Sequence, residues 1–164
     1  MNAAYVQAAG VDALPIVGGA GQVLGTGTPT GIPSTLTPTI IAAPQYHDSV
    51  QAPAVNITFS PSGARSLIYS SDLSSPDGDP EDWIQFTPFS SDIITHLTCL
   101  GNGKLIVELL QAGKSMQNWG SLACGETRQL ILTPGLPYTL RLSALSSGNE
   151  LASVHYTISV ETAP

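Results

Sequence analysis

From about residue 53 onward the chain alternates apolar and polar residues in short runs, and this pattern limits the fold more than any other feature. The last run shows it best, because four apolar residues of segment 153–161 fall at every second position: Val154, Tyr156, Ile158 and Val160. Successive side chains of a β-strand point to opposite faces of the sheet, so this run predicts a strand with one buried face.

Further runs of this kind recur about every 10–14 residues, with Gly, Pro and Asn turn residues between them. They cover residues 55–59, 65–70, 83–87, 92–100, 104–110, 119–123, 128–133, 138–145 and 153–161, and an acidic loop is predicted at 71–82. No helical periodicity interrupts them. The pattern predicts an all-β fold, an antiparallel β-sandwich of about 7–9 strands.

The amino-terminal part has a different composition, since the first 64 residues carry only two charged residues, Asp12 and Asp48. Residues 25–38 read GTGTPTGIPSTLTP, in which Pro removes backbone donors and Gly adds backbone freedom. We therefore expect an extended, irregular segment at residues 1–50, apolar and rich in Thr, Pro and Gly, followed by the sandwich domain at residues 51–164.

This segment contains candidate modification and assembly residues. Its hydroxyl residues suit O-glycosylation of a stalk, and an unmodified linker explains them equally well; they are Thr26, Thr28, Thr30, Ser34, Thr35 and Thr37. Exposed apolar segments promote association, so the apolar residues are predicted to contact a neighbouring subunit or to donate a strand to it. These residues are Ala13, Leu14, Pro15, Ile16, Val17, Val23, Leu24, Ile40 and Ile41.

Charge and composition exclude several classes of protein. With five Lys and Arg residues and a net charge of −7, the chain cannot form a phosphate-binding face, which argues against nucleic acid as a partner. No run reaches about 18 apolar residues, so no membrane span is expected. Residues 1–25 lack the basic and continuous apolar regions of a signal peptide. The three histidines, His47, His96 and His155, are far apart and no catalytic motif is present, so no enzyme is predicted.

Three stretches carry a family resemblance: the acidic turn and aromatic strand DPEDWIQF at 79–86, the hairpin LIVELL followed by Gly113, and the closing strands LTPGLPYTLRL at 132–142 and YTISV at 156–160. In these stretches residues 64–161 resemble the bacterial pre-peptidase C-terminal domain, a secreted β-sandwich appended to many exported proteins. The resemblance implies a non-catalytic extracellular domain associated with substrate binding, secretion or spacing.

Cys99 and Cys124 are the only cysteines. In a chain of secreted composition, two cysteines predict one disulfide, whereas two buried free thiols in a cytosolic protein are the alternative. Closing a loop of about 25 residues would stabilise the fold by roughly 3–4 kcal/mol.

Acidic residues concentrate in the predicted loop at 71–82. Clustered carboxylates suit a hard cation such as calcium, and some members of the resembled family bind calcium near this turn. The candidate ligands are Asp77, Asp79, Glu81 and Asp82. A solvated turn, in which Asp and Gly supply the turn geometry, is the alternative.

Trp83 and Trp119 are candidate sugar-stacking platforms, although a core position is favoured for both. Taken together, these features predict a non-catalytic structural subunit, bacterial in style, outside the cell or on its surface. It would assemble with copies of itself into a filament or surface layer, with the amino-terminal segment contacting or donating a strand to its neighbour. The alternative is a secreted accessory module that binds carbohydrate or another polymer, so that a glycan would be its partner.

Overall fold

The computed structural model describes residues 38–116, 119, 121–146 and 150–163 and contains ten β-strands. The alternation in the sequence corresponds to alternating burial in most of them, for example in β4, β9 and β10. The strands are β1 (Thr39–Ala42), β2 (Val55–Thr58), β3 (Ser66–Ser75), β4 (Glu81–Thr87), β5 (Asp92–Gly101), β6 (Lys104–Gln111), β7 (Lys114–Ser115), β8 (Thr127–Ile131), β9 (Tyr138–Leu145) and β10 (Ala152–Thr162). The described residues contain no helix, and hence none that could cross a membrane.

The strands form two five-stranded sheets that face each other. Sheet I has the order β1-β3-β10-β5-β8, and sheet II has the order β2-β4-β9-β6-β7. The predicted all-β sandwich is confirmed, with more strands than predicted. The sheets are mixed rather than antiparallel throughout, because β1 pairs with β3 and β2 pairs with β4 in parallel at one edge of each sheet. Both pairs join segments that are distant along the chain, where no hairpin turn imposes antiparallel pairing.

Two predicted elements differ from the structure. The run at 119–123 forms no strand in its described residues, because Trp119 instead anchors a loop by inserting its side chain into the core. Residues 71–75 were predicted as loop and instead continue β3, since this part of the chain pairs with β10 along its length. The alternation also persists there, with Leu73 fully buried between polar neighbours.

The core lies between the inner faces of the two sheets. Eleven apolar side chains have no exposed surface: Leu67, Tyr69, Leu73, Ile84, Phe86, Ile93, Leu97, Leu140, Leu142, Ile158 and Val160. Burying one such side chain stabilises the fold by about 1.5–3 kcal/mol relative to leaving it in water. Phe86 stacks on Tyr138 with 6.0 Å between ring centroids, so aromatic packing joins neighbouring strands of sheet II.

The described residues belong to the unit that the chain forms from Thr35 to Pro164. Residues 39–50, which the sequence assigned to the extended segment, contribute β1 and the loop after it to this unit. The division of the chain into residues 1–50 and 51–164 stays a prediction.

The predicted disulfide is confirmed. It joins Cys99, near the end of β5, to Cys124 in the loop that precedes β8, with 5.4 Å between the two Cα atoms. Because β5 and β8 are neighbours in sheet I, the bridge ties the loop that leads into the edge strand to the body of the sheet.

Candidate binding groove and buried carboxyl cluster

A shallow groove of about 570 Å³ crosses the outer face of sheet I, and we call it the sheet I groove. It lies on β3, β10 and β5, whose apolar residues point inward and leave polar residues outside. Its side chains come from these three strands and from the loop after β1; they are Pro44, Ser70, Asp72, Thr98, Leu100, His155 and Thr157.

Strand register arranges the groove in two rows. Ser70, Thr157 and Thr98 lie side by side in the first row, and Asp72, His155 and Leu100 lie side by side in the second. Neighbouring strands are about 4.8 Å apart and alternate residues about 6.8 Å apart, so the rows cover about 10 by 7 Å. The hydroxyls of Ser70 and Thr157 are hydrogen-bonded at 2.7 Å, which fixes the first row.

Tyr46, in the loop after β1, contacts the groove residue Asp72. Its hydroxyl donates a hydrogen bond to Asp72 Oδ1 at 3.3 Å, and the negative charge of Asp72 raises the pKa of the Tyr46 phenol. Tyr46 as a whole residue is 56% exposed, and Leu100 at the other end of the second row is 78% exposed. The groove therefore offers apolar surface beside hydroxyl and carboxylate groups.

A second polar feature is buried inside one end of the sandwich. Asp82 of sheet II has no exposed surface and accepts hydrogen bonds from two tyrosine hydroxyls of sheet I, Tyr156 and Tyr69, the latter at 3.4 Å. Burial raises the pKa of Asp82 to about 7. Burial likewise raises the pKa of Tyr69 to about 12 and raises that of Tyr156. Asp82 thus links the two sheets through neutral hydroxyl donors.

The half-buried Asp48 and the buried Asp79 lie near Asp82, and we call these three residues the buried carboxyl cluster. Asp48 Oδ2 accepts hydrogen bonds from the backbone N–H groups of Trp83 at 2.7 Å and Ala54 at 2.9 Å. Asp79 Oδ1 accepts one from the N–H of His47 at 3.4 Å. Burial raises the pKa of Asp48, and Asp79 adds to that rise. These contacts hold the loop between β1 and β2 against the start of β4.

The structure separates the four predicted calcium ligands. Asp77 is exposed, Glu81 pairs with Arg141 on the outer face of sheet II, and Asp79 and Asp82 are buried. Within the described ranges, no three His, Cys, Asp or Glu side chains are placed to hold a metal ion. One further oxygen of Asp48 and one of Asp79 are buried without a hydrogen-bond partner. The residues do not form a metal site in this arrangement, and calcium binding stays a prediction.

Neither tryptophan is an open platform. Trp119 is 5% exposed, and its indole N–H donates to the carbonyl of Val107 at 3.0 Å, as a core residue would. Trp83 is half-buried on the outer face of sheet II, where the guanidinium of Arg141 lies 5.3 Å from its ring centroid. Arg141 is in turn held by Glu81 and by Glu108, the latter at 3.1 Å, and this pairing raises the pKa of Arg141.

Of the predicted assembly residues, only Ile40 and Ile41 lie in the described part of the chain. Ile41 is 79% exposed and shares the outer face with Ile68, whereas Ile40 is 40% exposed and lies beside the inward-facing Leu67. The other assembly residues, Ala13, Leu14, Pro15, Ile16, Val17, Val23 and Leu24, lie outside the described residues, as do all six predicted glycosylation residues.

Neither the groove nor the role of Asp48 could be predicted from the sequence. The groove residues are common residue types that only the strand register brings together. Asp48 is distant in sequence from Asp79 and Asp82, and the one available signal was that it is one of only two charged residues among the first 64.

No protein-family model and no curated protein matches the chain. Among solved structures it is similar to the periplasmic inhibitor of g-type lysozyme from Aeromonas hydrophila, with 12% identity over 75% of this chain and 97% of that one and a TM-score of 0.45. The inhibitor from Salmonella Typhimurium gives 13% identity over 76% and 96% of the two chains, with a TM-score of 0.39.

The chain is also similar to the pre-peptidase C-terminal domain of a Bacillus anthracis collagenase, with 19% identity over 65% of this chain and 94% of that one and a TM-score of 0.41. This domain belongs to the family that residues 64–161 resemble in sequence. These values describe distant likenesses in β architecture, and nothing about a ligand or partner of this chain follows from them.

Proposed function

We propose that this chain is a non-catalytic extracellular structural subunit that associates with copies of itself through the edge of sheet I at β1. One observation carries the proposal. β1 is an edge strand that pairs with β3 alone in the described part of the chain, and its sequence TIIA contains no charged residue. The disulfide supports the extracellular location, because such bonds persist in oxidising compartments.

The outer edge of an edge strand can form backbone hydrogen bonds with a further strand. Soluble proteins usually protect such edges with charged residues, Pro or bulges, and β1 has none of these within it. The outward-facing Ile41 adds apolar surface beside this edge. The amino-terminal segment of a neighbouring copy can therefore pair along β1 or replace it. A contact of this head-to-tail kind produces a filament unless its rotation closes a ring.

A charge placed on the edge tests this function. Ile41→Lys should convert assemblies of the full chain to monomers, as measured by light scattering after size exclusion and by electron microscopy. Ile131→Lys is the matched control, because Ile131 is 72% exposed on β8 at the opposite edge of the same sheet. A wild-type chain that stays monomeric at every concentration would overturn the proposal. If both variants assemble equally well, β1 is not part of the interface.

A second function is supported by a separate observation, the sheet I groove. We infer that the domain also serves as an accessory binding module for carbohydrate or another polymer. The groove combines exposed apolar surface with fixed hydroxyl groups and a carboxylate, which is the composition of a site for a polar ligand. Co-sedimentation of the full chain with insoluble polysaccharides tests this role, and a chain that remains in solution with every polymer would contradict it.

A further inference from the structure

We propose that the sheet I groove binds an uncharged saccharide chain, with Asp72 and His155 hydrogen-bonding to its hydroxyl groups and Leu100 packing against a sugar ring. The inference rests on the binding-module function proposed above. It adds the residues that form the site and the chemical class of the ligand.

The shape of the groove suits a chain better than a single small molecule. Its volume of about 570 Å³ lies within the usual range of about 300–1,000 Å³ for ligand sites. The groove is also shallow and open, so a polymer can cross it without needing an end to enter. The two side-chain rows, separated by about 7 Å along the strands, offer contacts to successive parts of such a chain.

The polar groups match a ligand that is rich in hydroxyls. Serine and threonine hydroxyls both donate and accept hydrogen bonds, whereas a carboxylate only accepts them. Asp72 can therefore accept from sugar hydroxyls while Tyr46 holds its other oxygen, and the hydrogen bond between Ser70 and Thr157 orders the adjacent row before a ligand arrives. Such order reduces the entropy lost on binding.

Apolar surface lies where a sugar ring would need it. Leu100 is 78% exposed, and its register partner in the second row is His155. Sugar rings present C–H groups on their faces between the hydroxyls at their edges. Contact of one ring with Leu100 would remove apolar area from water on both partners while the hydroxyls face Asp72 and His155.

Charge distinguishes between classes of glycan. The groove lining contains the carboxylate of Asp72 and no Lys or Arg, and the whole chain has a net charge of −7. Sulfated or uronate-rich polymers would meet repulsion without a compensating cation. A peptide strand would also lack partners here, because the backbone groups of β3, β10 and β5 at the groove are paired within the sheet.

A glycan array probed with the full chain tests the proposal, using uncharged oligosaccharides and sulfated and uronate-containing ones on the same surface. Asp72→Asn and Leu100→Ser should each weaken binding to the uncharged glycans at least tenfold, as the loss of one charge-assisted hydrogen bond or one apolar contact would. Glu161→Gln is the matched control, because it removes an exposed carboxylate from β10 outside the groove. Thermal unfolding of each variant verifies that the fold is kept.

The possible outcomes separate the inference from the proposed function. Uncharged glycans bound by wild type and lost selectively in the two groove variants would support the inference. Equal binding by wild type and groove variants would overturn the assignment to the groove and leave the binding-module function intact. Binding restricted to anionic glycans would overturn the proposed ligand class. An array on which nothing binds would overturn both the inference and the binding-module function.

Discussion

Replacing Asp82 by Asn tests whether the buried carboxyl cluster sets the pH dependence of stability. Asp82 has no exposed surface, and burial raises its pKa from 3.8 to about 7. Between pH 3.8 and about pH 7, Asp82 therefore keeps its proton in the folded chain and releases it in the unfolded chain. The resulting stabilisation is fully present below pH 3.8, and it is lost progressively as the pH rises to about 7.

The size of the effect follows from the difference between the two pKa values, 3.8 and about 7. A difference of about 3 units corresponds to about 4 kcal/mol, because each unit is worth about 1.36 kcal/mol. Asparagine remains neutral at every pH and keeps an oxygen that can accept from the hydroxyl of Tyr69 or Tyr156. The free energy of unfolding of Asp82→Asn relative to wild type should therefore rise by about 4 kcal/mol between pH 4 and pH 8.

Urea unfolding followed by tryptophan fluorescence measures this difference at a series of pH values, since Trp119 is buried in the folded chain. Asp77→Asn is the control, because Asp77 is exposed on the turn between β3 and β4, and its substitution should give the same curve as wild type. A difference between Asp82→Asn and wild type that stays constant with pH would refute the reasoning. A difference that grows toward low pH would show that the pKa of Asp82 is lowered rather than raised.

Two further substitutions test the elements that hold the fold around the site. Replacing Cys99 and Cys124 together by Ser should lower the free energy of unfolding by about 3–4 kcal/mol, as expected for a closed loop of this length, and reduction of wild type should give the same loss. Equal stability before and after reduction would contradict this. Asp48→Ala removes the carboxylate that accepts from the Trp83 N–H, and it leaves the Ala54 N–H with the carbonyl of Trp83 as its remaining acceptor. It should cost about 1–3 kcal/mol in urea unfolding, whereas Asp48→Asn should retain most of the stability. If the Ala and Asn variants unfold alike, the acceptor role of Asp48 is wrong.

The strands of this fold could be predicted wherever the signal is local. In β9 and β10 the period-two alternation continues without interruption, so the element and its buried face follow from neighbouring residues alone. The parallel pairing of β1 with β3 and of β2 with β4 could not be predicted in this way. In each pair the two strands are distant along the chain, and no turn between them indicates whether they run parallel or antiparallel.

The site was hidden for a related reason. Ser70, Thr98 and Thr157 are unremarkable in sequence, and only the register of three strands brings their hydroxyls into one row. The residue types that sequence analysis favours as binding platforms, the two tryptophans, are occupied by structural contacts. Trp119 packs in the core, and Trp83 is covered by Arg141. Residue type alone was therefore a poor guide to the proposed binding surface.

The two proposed functions would reinforce each other through their positions in sheet I. β1 pairs with β3, which carries Ser70 and Asp72 of the groove, and Pro44 and Tyr46 follow β1 in the chain. Association along β1 would repeat the groove at regular intervals on the same sheet face. Many grooves on one assembly hold a long polymer far more strongly than a single groove does, because each contact after the first is intramolecular. A shallow groove with weak individual affinity is therefore sufficient for a subunit that acts as part of an assembly.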